Sequence, residues 1–185
     1  MMKLINSLCV GAGHAAPGKG ACGAVGYINE SLEARQIRNK VIELNNKRFW
    51  ITDCTVDSGT QSAVLTQAVK KANASGCDLD LQIHFNACKK SAKDGKAKGV
   101  EALIYANTSS KAKSCATQLA AEIAKGLGVP NRGVKCRKDL YFLKKTSKPA
   151  VILEVCFCDD EDDYLAYKKK NGREVVANAI LHLFG

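Results

Sequence analysis

The chain has 185 residues, a length that suits a single core. Hydrophobic residues make up 46% and charged residues 25%, which excludes disordered and collagen-like classes; at 6% aromatics, the core must come mainly from Val, Ile, Leu and Ala. The formal net charge of +10 serves solubility or attracts polyanions (nucleic acid, anionic lipid, acidic wall polymers), and no nucleic-acid signature with interleaved aromatics accompanies it.

Leu4 to Val10 reads as a short strand. It runs into GAGHAAPGKGACGAVG, a loop whose irregular glycines and missing Lys-Ser/Thr argue against phosphate binding. Asn29-Glu30-Ser31 open a helix to about Lys47, with Leu32, Ile37, Val41 and Leu44 close to one face. Phe49 to Thr55 reads as a strand, Asp57 to Gly59 as a turn, Ser62 to Ala74 as a helix and Asp78 to Ala87 as a strand. Lys89 to Lys98 reads as a surface loop, and Val100 to Ala106 as a strand. A helix over Ser110 to Leu127 is stopped by Gly126 and Gly128, with Pro130 beyond. A short strand pair is expected over Gly133 to Cys136 and Leu140 to Leu143. Ala150 to Phe157 is a central apolar strand, and acidic residues 159–163 open a final helical region ending in Val175 to Phe184. This alternation predicts an α/β fold: a single domain over residues 1–185, with a twisted, mostly parallel central sheet, helices on both faces and no second domain.

Nine scattered cysteines contain no C-x-x-C pair, which argues against a zinc ribbon or a thioredoxin-like site. Most are expected to be buried free thiols of a protein made in a reducing cytosol. The opening MMKLINSLCVGAGHAA carries a short apolar stretch broken by Asn6 and Ser7, so no clear signal peptide is expected; cleavage after Ala15 or Ala16 would also remove His14. No stretch approaches the roughly 18 apolar residues of a membrane span, and no stable membrane insertion is expected.

Three histidines occur, and two sit in suggestive places. In DLQIHFNA, strand alternation puts Leu81, Ile83 and Phe85 on one face and Gln82, His84 and Asn86 on the other. Glu154, inside AVILEVCF, is an acid in an apolar run, which is costly unless paired, protonated or metal-bound. A buried, salt-bridged acid and a general acid–base with raised pKa are both open for it. His14 follows the first strand, and Glu30 lies in the first turn of a helix, where the dipole favours an acid anyway. Two neutral imidazoles, one carboxylate and water form an open catalytic zinc site. One helical turn on, Glu33 offers an alternative carboxylate. His182, among Leu181, Leu183 and Phe184, reads as a packed or surface helical histidine.

Five ordered motifs carry a resemblance: Gly13-His14; Asn29-Glu30; Ile83-His84-Phe85-Asn86-Ala87 with Val100-Glu101 after it; Asn131-Arg132-Gly133-Val134-Lys135; and Leu153-Glu154 with Phe157. Together they resemble the zinc-dependent N-acetylmuramoyl-L-alanine amidases of the amidase-3 type, most of all the catalytic domains of phage and prophage endolysins. The first motif departs from that family's G-H-G-G in reading Gly13-His14-Ala15-Ala16-Pro17, and Cys156 stands where a glycine is usual. The resemblance implies one Zn²⁺ per chain on His14, Glu30 and His84, with Glu154 transferring protons. It implies hydrolysis of the amide joining the lactyl group of N-acetylmuramic acid to L-alanine, by a phage endolysin or a cell's own autolysin acting on the wall after release from the cytoplasm. Peptidoglycan is then the partner, with anionic wall polymers possible and nucleic acid not expected. Asn86 is a candidate substrate contact or a strand-end turn residue; Arg132 is a contact for a stem-peptide acid or a surface charge. Two alternatives stay open: a zinc peptidase or carboxypeptidase acting on wall peptides, and a non-catalytic basic wall-binding module.

Overall fold

Runs of Val, Ile, Leu and Phe, punctuated by Gly, Asn and Pro, become the strands of one sheet. The computed structural model describes residues 3–88, 98–106 and 108–185. The strands are β1 (Ser7–Ala12), β2 (Trp50–Asp53), β3 (Leu79–Asn86), β4 (Val100–Tyr105), β5 (Asn131–Arg137) and β6 (Ala150–Phe157), in the order β2-β1-β3-β6-β4-β5. All neighbours are parallel except β4 and β6, which pair Glu101 opposite Glu154 in antiparallel register. The chain leaves β3 and enters β4 at the same end of the sheet, so β4 must run back against β3 and β6. The expected surface loop over 89–98 lies, but for its last residue, outside the described residues.

The helices are α1 (Glu30–Asn45), α2 (Gln61–Ser75), α3 (Ser110–Leu127), α4 (Tyr141–Lys145), α5 (Glu161–Lys169) and α6 (Gly172–Leu181), followed by a 3-10 turn over His182–Phe184. Side chains of Asn29, Thr60, Ser109 and Asp160 each accept a backbone N–H in the first turn of α1, α2, α3 and α5, satisfying donors a helix start leaves free. Leu79, Leu81, Ile83 and Phe85 join α1, α3 and α6 in the larger core. On the opposite face, Cys9, Ala150 and Ile152 pack against Val69 and Ala72 of α2 and Phe142 and Leu143 of α4. Both faces are thus covered, as a mostly parallel sheet requires.

Two expectations are corrected. Leu140 to Leu143 does not pair as a strand: Tyr141–Lys145 forms α4, which buries Phe142 and Leu143 and turns Lys144 and Lys145 outward. A short apolar run carries too little periodicity to separate strand from helix. The final helical region is two helices, broken where Asn171 adopts φ 53. Six of the nine cysteines are buried, at positions 9, 54, 77, 115, 156 and 158. Among the described residues no helix is long and apolar enough to cross a membrane.

Candidate metal and catalytic site

β1 and β3 end side by side, and the backbone pairing extends one step further when Gly13 donates its N–H to the Ile83 carbonyl. A Cβ on Gly13 would overlap the His84 ring, so only glycine lets this turn pass so close. His14 follows. Its carbonyl accepts from Arg35 Nη2 at 2.8 Å, and the same buried guanidinium bonds the Ser31 and Val56 carbonyls and Asp57. Arg35 therefore pins the His14 loop to α1.

Glu30 opens α1 and points back over the sheet, with 4% of its surface exposed. Its Oε2 accepts from the Ala24 N–H at 2.8 Å and its Oε1 from the Phe85 N–H at 3.1 Å. Oε1 also lies 3.3 Å from His14 Nε2 and 3.0 Å from His84 Nδ1. The two imidazoles meet edge-on, with centroids 4.9 Å apart. Burial disfavours the Glu30 carboxylate, but hydrogen bonds from His14 and His84 outweigh it and hold the group well below the usual carboxylate range. Burial works against a charged His84 as well, while the bond to Glu30 pulls it upward. His84 Nε2 faces Gln82 Oε1 at 3.4 Å.

Ligand atoms of His14, Glu30 and His84 all lie within 4.8 Å of one another. In a tetrahedral zinc site with bonds of about 2.05 Å, neighbouring ligand atoms stand about 3.3 Å apart. The two separations from Glu30, 3.0 and 3.3 Å, match that spacing, the group as a whole spans no more than 4.8 Å, and the His/Glu/His donor set suits zinc. Glu33 does not compete: its carboxylate accepts from Arg173 and from the Tyr167 hydroxyl.

The parallel register places Glu154 of β6 directly beside His84 of β3. Glu154 Oε2 is buried with no hydrogen-bond partner among the described residues. Burial pushes its carboxyl up to about 7, with His84 opposing and Glu30 and Glu101 reinforcing the shift. Asn86 and Arg132 converge on Glu101 rather than on the cluster of His14, Glu30 and His84: Asn86 Nδ2 donates to Oε1 at 3.0 Å and Arg132 Nε to Oε2 at 2.8 Å. Arg132 also lies over the Phe157 ring. His182 is half exposed and bonds Glu122. Beside His84 and Glu154 opens a pocket of about 360 Å³, walled by Leu65, Leu103, Phe142 and Ile152 and reaching Arg137 and Asp139. Sequence reasoning passed over Arg137. Its one signal was alternation along β5, which sets Lys135 and Arg137 on the same face.

The chain is similar to a Clostridium perfringens protein, at 35% identity over 161 residues covering 86% of this chain and 47% of the relative. It is 32% identical to the endolysin of Bacillus phage SPP1 over 164 residues, covering 85% of this chain and 57% of the endolysin. It thus spans about half the length of these relatives. Among solved structures, the catalytic domain of the CD27L endolysin targeting Clostridia difficile superposes with a TM-score of 0.81 at 26% identity, covering 96% of each chain. The family model described as N-acetylmuramoyl-L-alanine amidase, Amidase_3, matches residues 8–183, and the chain belongs to that family.

Proposed function

We propose that this chain hydrolyses the amide between N-acetylmuramic acid and L-alanine in peptidoglycan, with one Zn²⁺ held by His14, Glu30 and His84 and proton transfer by Glu154. One observation carries the reading. Residues 14, 30 and 84, far apart along an Amidase_3 chain, bring three ligand atoms together beside a buried, unpaired Glu154 oxygen. Bound there, zinc would supply Lewis acidity toward the substrate carbonyl and lower the pKa of water toward 7.

The chain's own residues do the rest. With zinc bound, His84 would present its Nδ1 lone pair to the metal and donate Nε2–H to Gln82, which lies 3.4 Å away and fixes the ring. Glu154, with a carboxyl near 7, exchanges protons in the neutral range. It takes a proton from the attacking water and returns one to the L-alanine nitrogen as the C–N bond breaks. Asn86 and Arg132 act through Glu101, setting the wall opposite Glu154, and the remaining donors of Arg132 serve as the substrate contact. The net charge of +10 favours approach to the anionic polymers of the wall, where the enzyme acts after release from the cytoplasm.

The test is mass analysis of digested peptidoglycan together with a metal assay. Expected are free L-alanine amino ends on intact glycan, activity lost to a chelator and restored by zinc, and one zinc per chain. Glu154→Gln should keep its zinc and lose turnover by about 10²- to 10⁴-fold. New reducing sugar ends, or cuts confined to the peptide, would refute the reading.

A further inference from the structure

The pocket beside Glu154 crosses the face of four neighbouring strands. Its floor carries Gln82 of β3, Ile152 of β6, Leu103 of β4 and Arg137 at the end of β5. β6 and β5 lie two strand spacings apart, about 10 Å, and Arg137, the partner of Tyr105, stands four residues along β4 from Glu101, the partner of Glu154; the backbones are thus about 16 Å apart, and the long Arg137 side chain spans enough of that distance for the two charges to interact. The path from the reacting centre to Arg137 therefore suits the first residues of a peptide.

The charges along it are unequal. Among the described lining residues, Arg137 is the one Lys or Arg, set against the acids Glu154 and Asp139. Asp139 grips it in a fork: Nε donates to Oδ1 at 2.8 Å and Nη2 to Oδ2 at 2.6 Å. That pairing uses one edge of the guanidinium and leaves the Nη1 protons as donors for a second acceptor. The apolar walls accept a neutral peptide without help. A peptide carboxylate meets one cationic side chain among the described lining residues, Arg137.

We propose that Arg137 reads a carboxylate on the stem peptide, so that stems keeping this acid are bound in preference to stems in which it is amidated. The proposal rests on the amidase reading and names the part of the substrate that the pocket selects. Two carboxylates carry the required chemistry: the α-carboxylate of a second-position D-glutamate joined through its side chain, and the side-chain carboxylate of a third-position diaminopimelate. Asp139 positions the guanidinium and tempers its charge.

The experiment is calorimetric binding of C-terminally amidated tripeptides to the zinc-loaded chain, which needs no turnover. One peptide is L-Ala-γ-D-Glu-L-Lys, one has D-isoglutamine in place of D-glutamate, and one combines D-isoglutamine with diaminopimelate. An acid-bearing peptide should bind about 10-fold tighter than the peptide lacking both acids, the scale of one partly exposed charge-assisted hydrogen bond. The acid peptide that gains affinity identifies the carboxylate. Arg137→Gln should erase the preference, and Asp139→Asn should widen it; both side chains are substantially exposed, so the fold should survive. Equal or absent binding of all three peptides overturns the proposal. So does an Arg137→Gln loss of the same size for the peptide lacking both acids. Selective binding without cleavage of peptidoglycan would sink the amidase reading alone.

Discussion

Asp80 sits in the middle of the sheet, beside Cys9 of β1 and Ala150 of β6, and is 0% exposed. Neither of its carboxylate oxygens has a hydrogen-bond partner among the described residues. Burial pushes its pKa from 3.8 to about 7, with Lys148 pulling the other way. Between those two values the folded chain keeps a proton that the unfolded chain releases. Stability from this group is therefore fully present below about pH 4, falls by about 1.4 kcal/mol per pH unit through the window, and levels off above about pH 7. The accumulated penalty is at most about 4 kcal/mol. Asp80→Asn keeps the shape and removes the titration. At pH 8 the variant should be more stable than the parent by about 2–4 kcal/mol, with the gain shrinking steadily toward pH 4. Urea unfolding at several pH values, with unchanged m, measures the difference, and every other titrating group cancels from it. A constant desolvation offset from the amide would leave the slope intact. A stability difference that does not vary between pH 4 and 8 would refute the reasoning.

Gly13→Ala forces a methyl into the His84 ring, so zinc affinity should fall about 10- to 100-fold while the circular dichroism spectrum stays native; undiminished zinc binding in a competition titration would contradict the site geometry. Phe142 is 1% exposed in the core between α2, α4 and the sheet. Phe142→Ala should cost about 3–5 kcal/mol in urea unfolding, and a cost below about 1 kcal/mol would contradict the packing of α4.

Much of this architecture is legible in the residues. α3 and β6 occupy the expected spans because their ends carry their own punctuation: Ser109 and Gly128 cap the helix, and Pro149 precedes the strand. Where local signals run out, so does the reading. Leu140-Tyr141-Phe142-Leu143 is apolar but too short to show a period, and only packing against α2 makes it helical. Strand order depends on which end of the sheet each connection uses, which no local pattern encodes. Which of Glu30 and Glu33 faces the histidines depends on partners distant in sequence: Arg173 and Tyr167 bond Glu33, while His14 and His84 face Glu30. That Asn86 and Arg132 both bond Glu101 is not legible either, because Glu101 lies 15 and 31 positions away from them. Alternation puts Asp80 on the same face of β3 as Gln82 and His84, but no local pattern shows that α2 and α4 seal that face from water.

Two kinds of physics hold the site together. His84 and Glu154 are neighbours because β3 and β6 are hydrogen-bonded in register, so their separation is set by the sheet spacing of about 4.8 Å and is as rigid as the core. His14 and Glu30 arrive from a Gly-rich loop and a helix start, where no ladder fixes them. Their positions depend on Arg35 bridging the loop to α1, on the Ala24 and Phe85 N–H groups gripping Glu30, and on Gly23, whose Cβ would strike both side chains. In the proposed reading the acid, Glu154, and one ligand, His84, stand on hydrogen-bonded strands, while His14 and Glu30 stand on a loop and a helix start whose geometry a bound ion would complete.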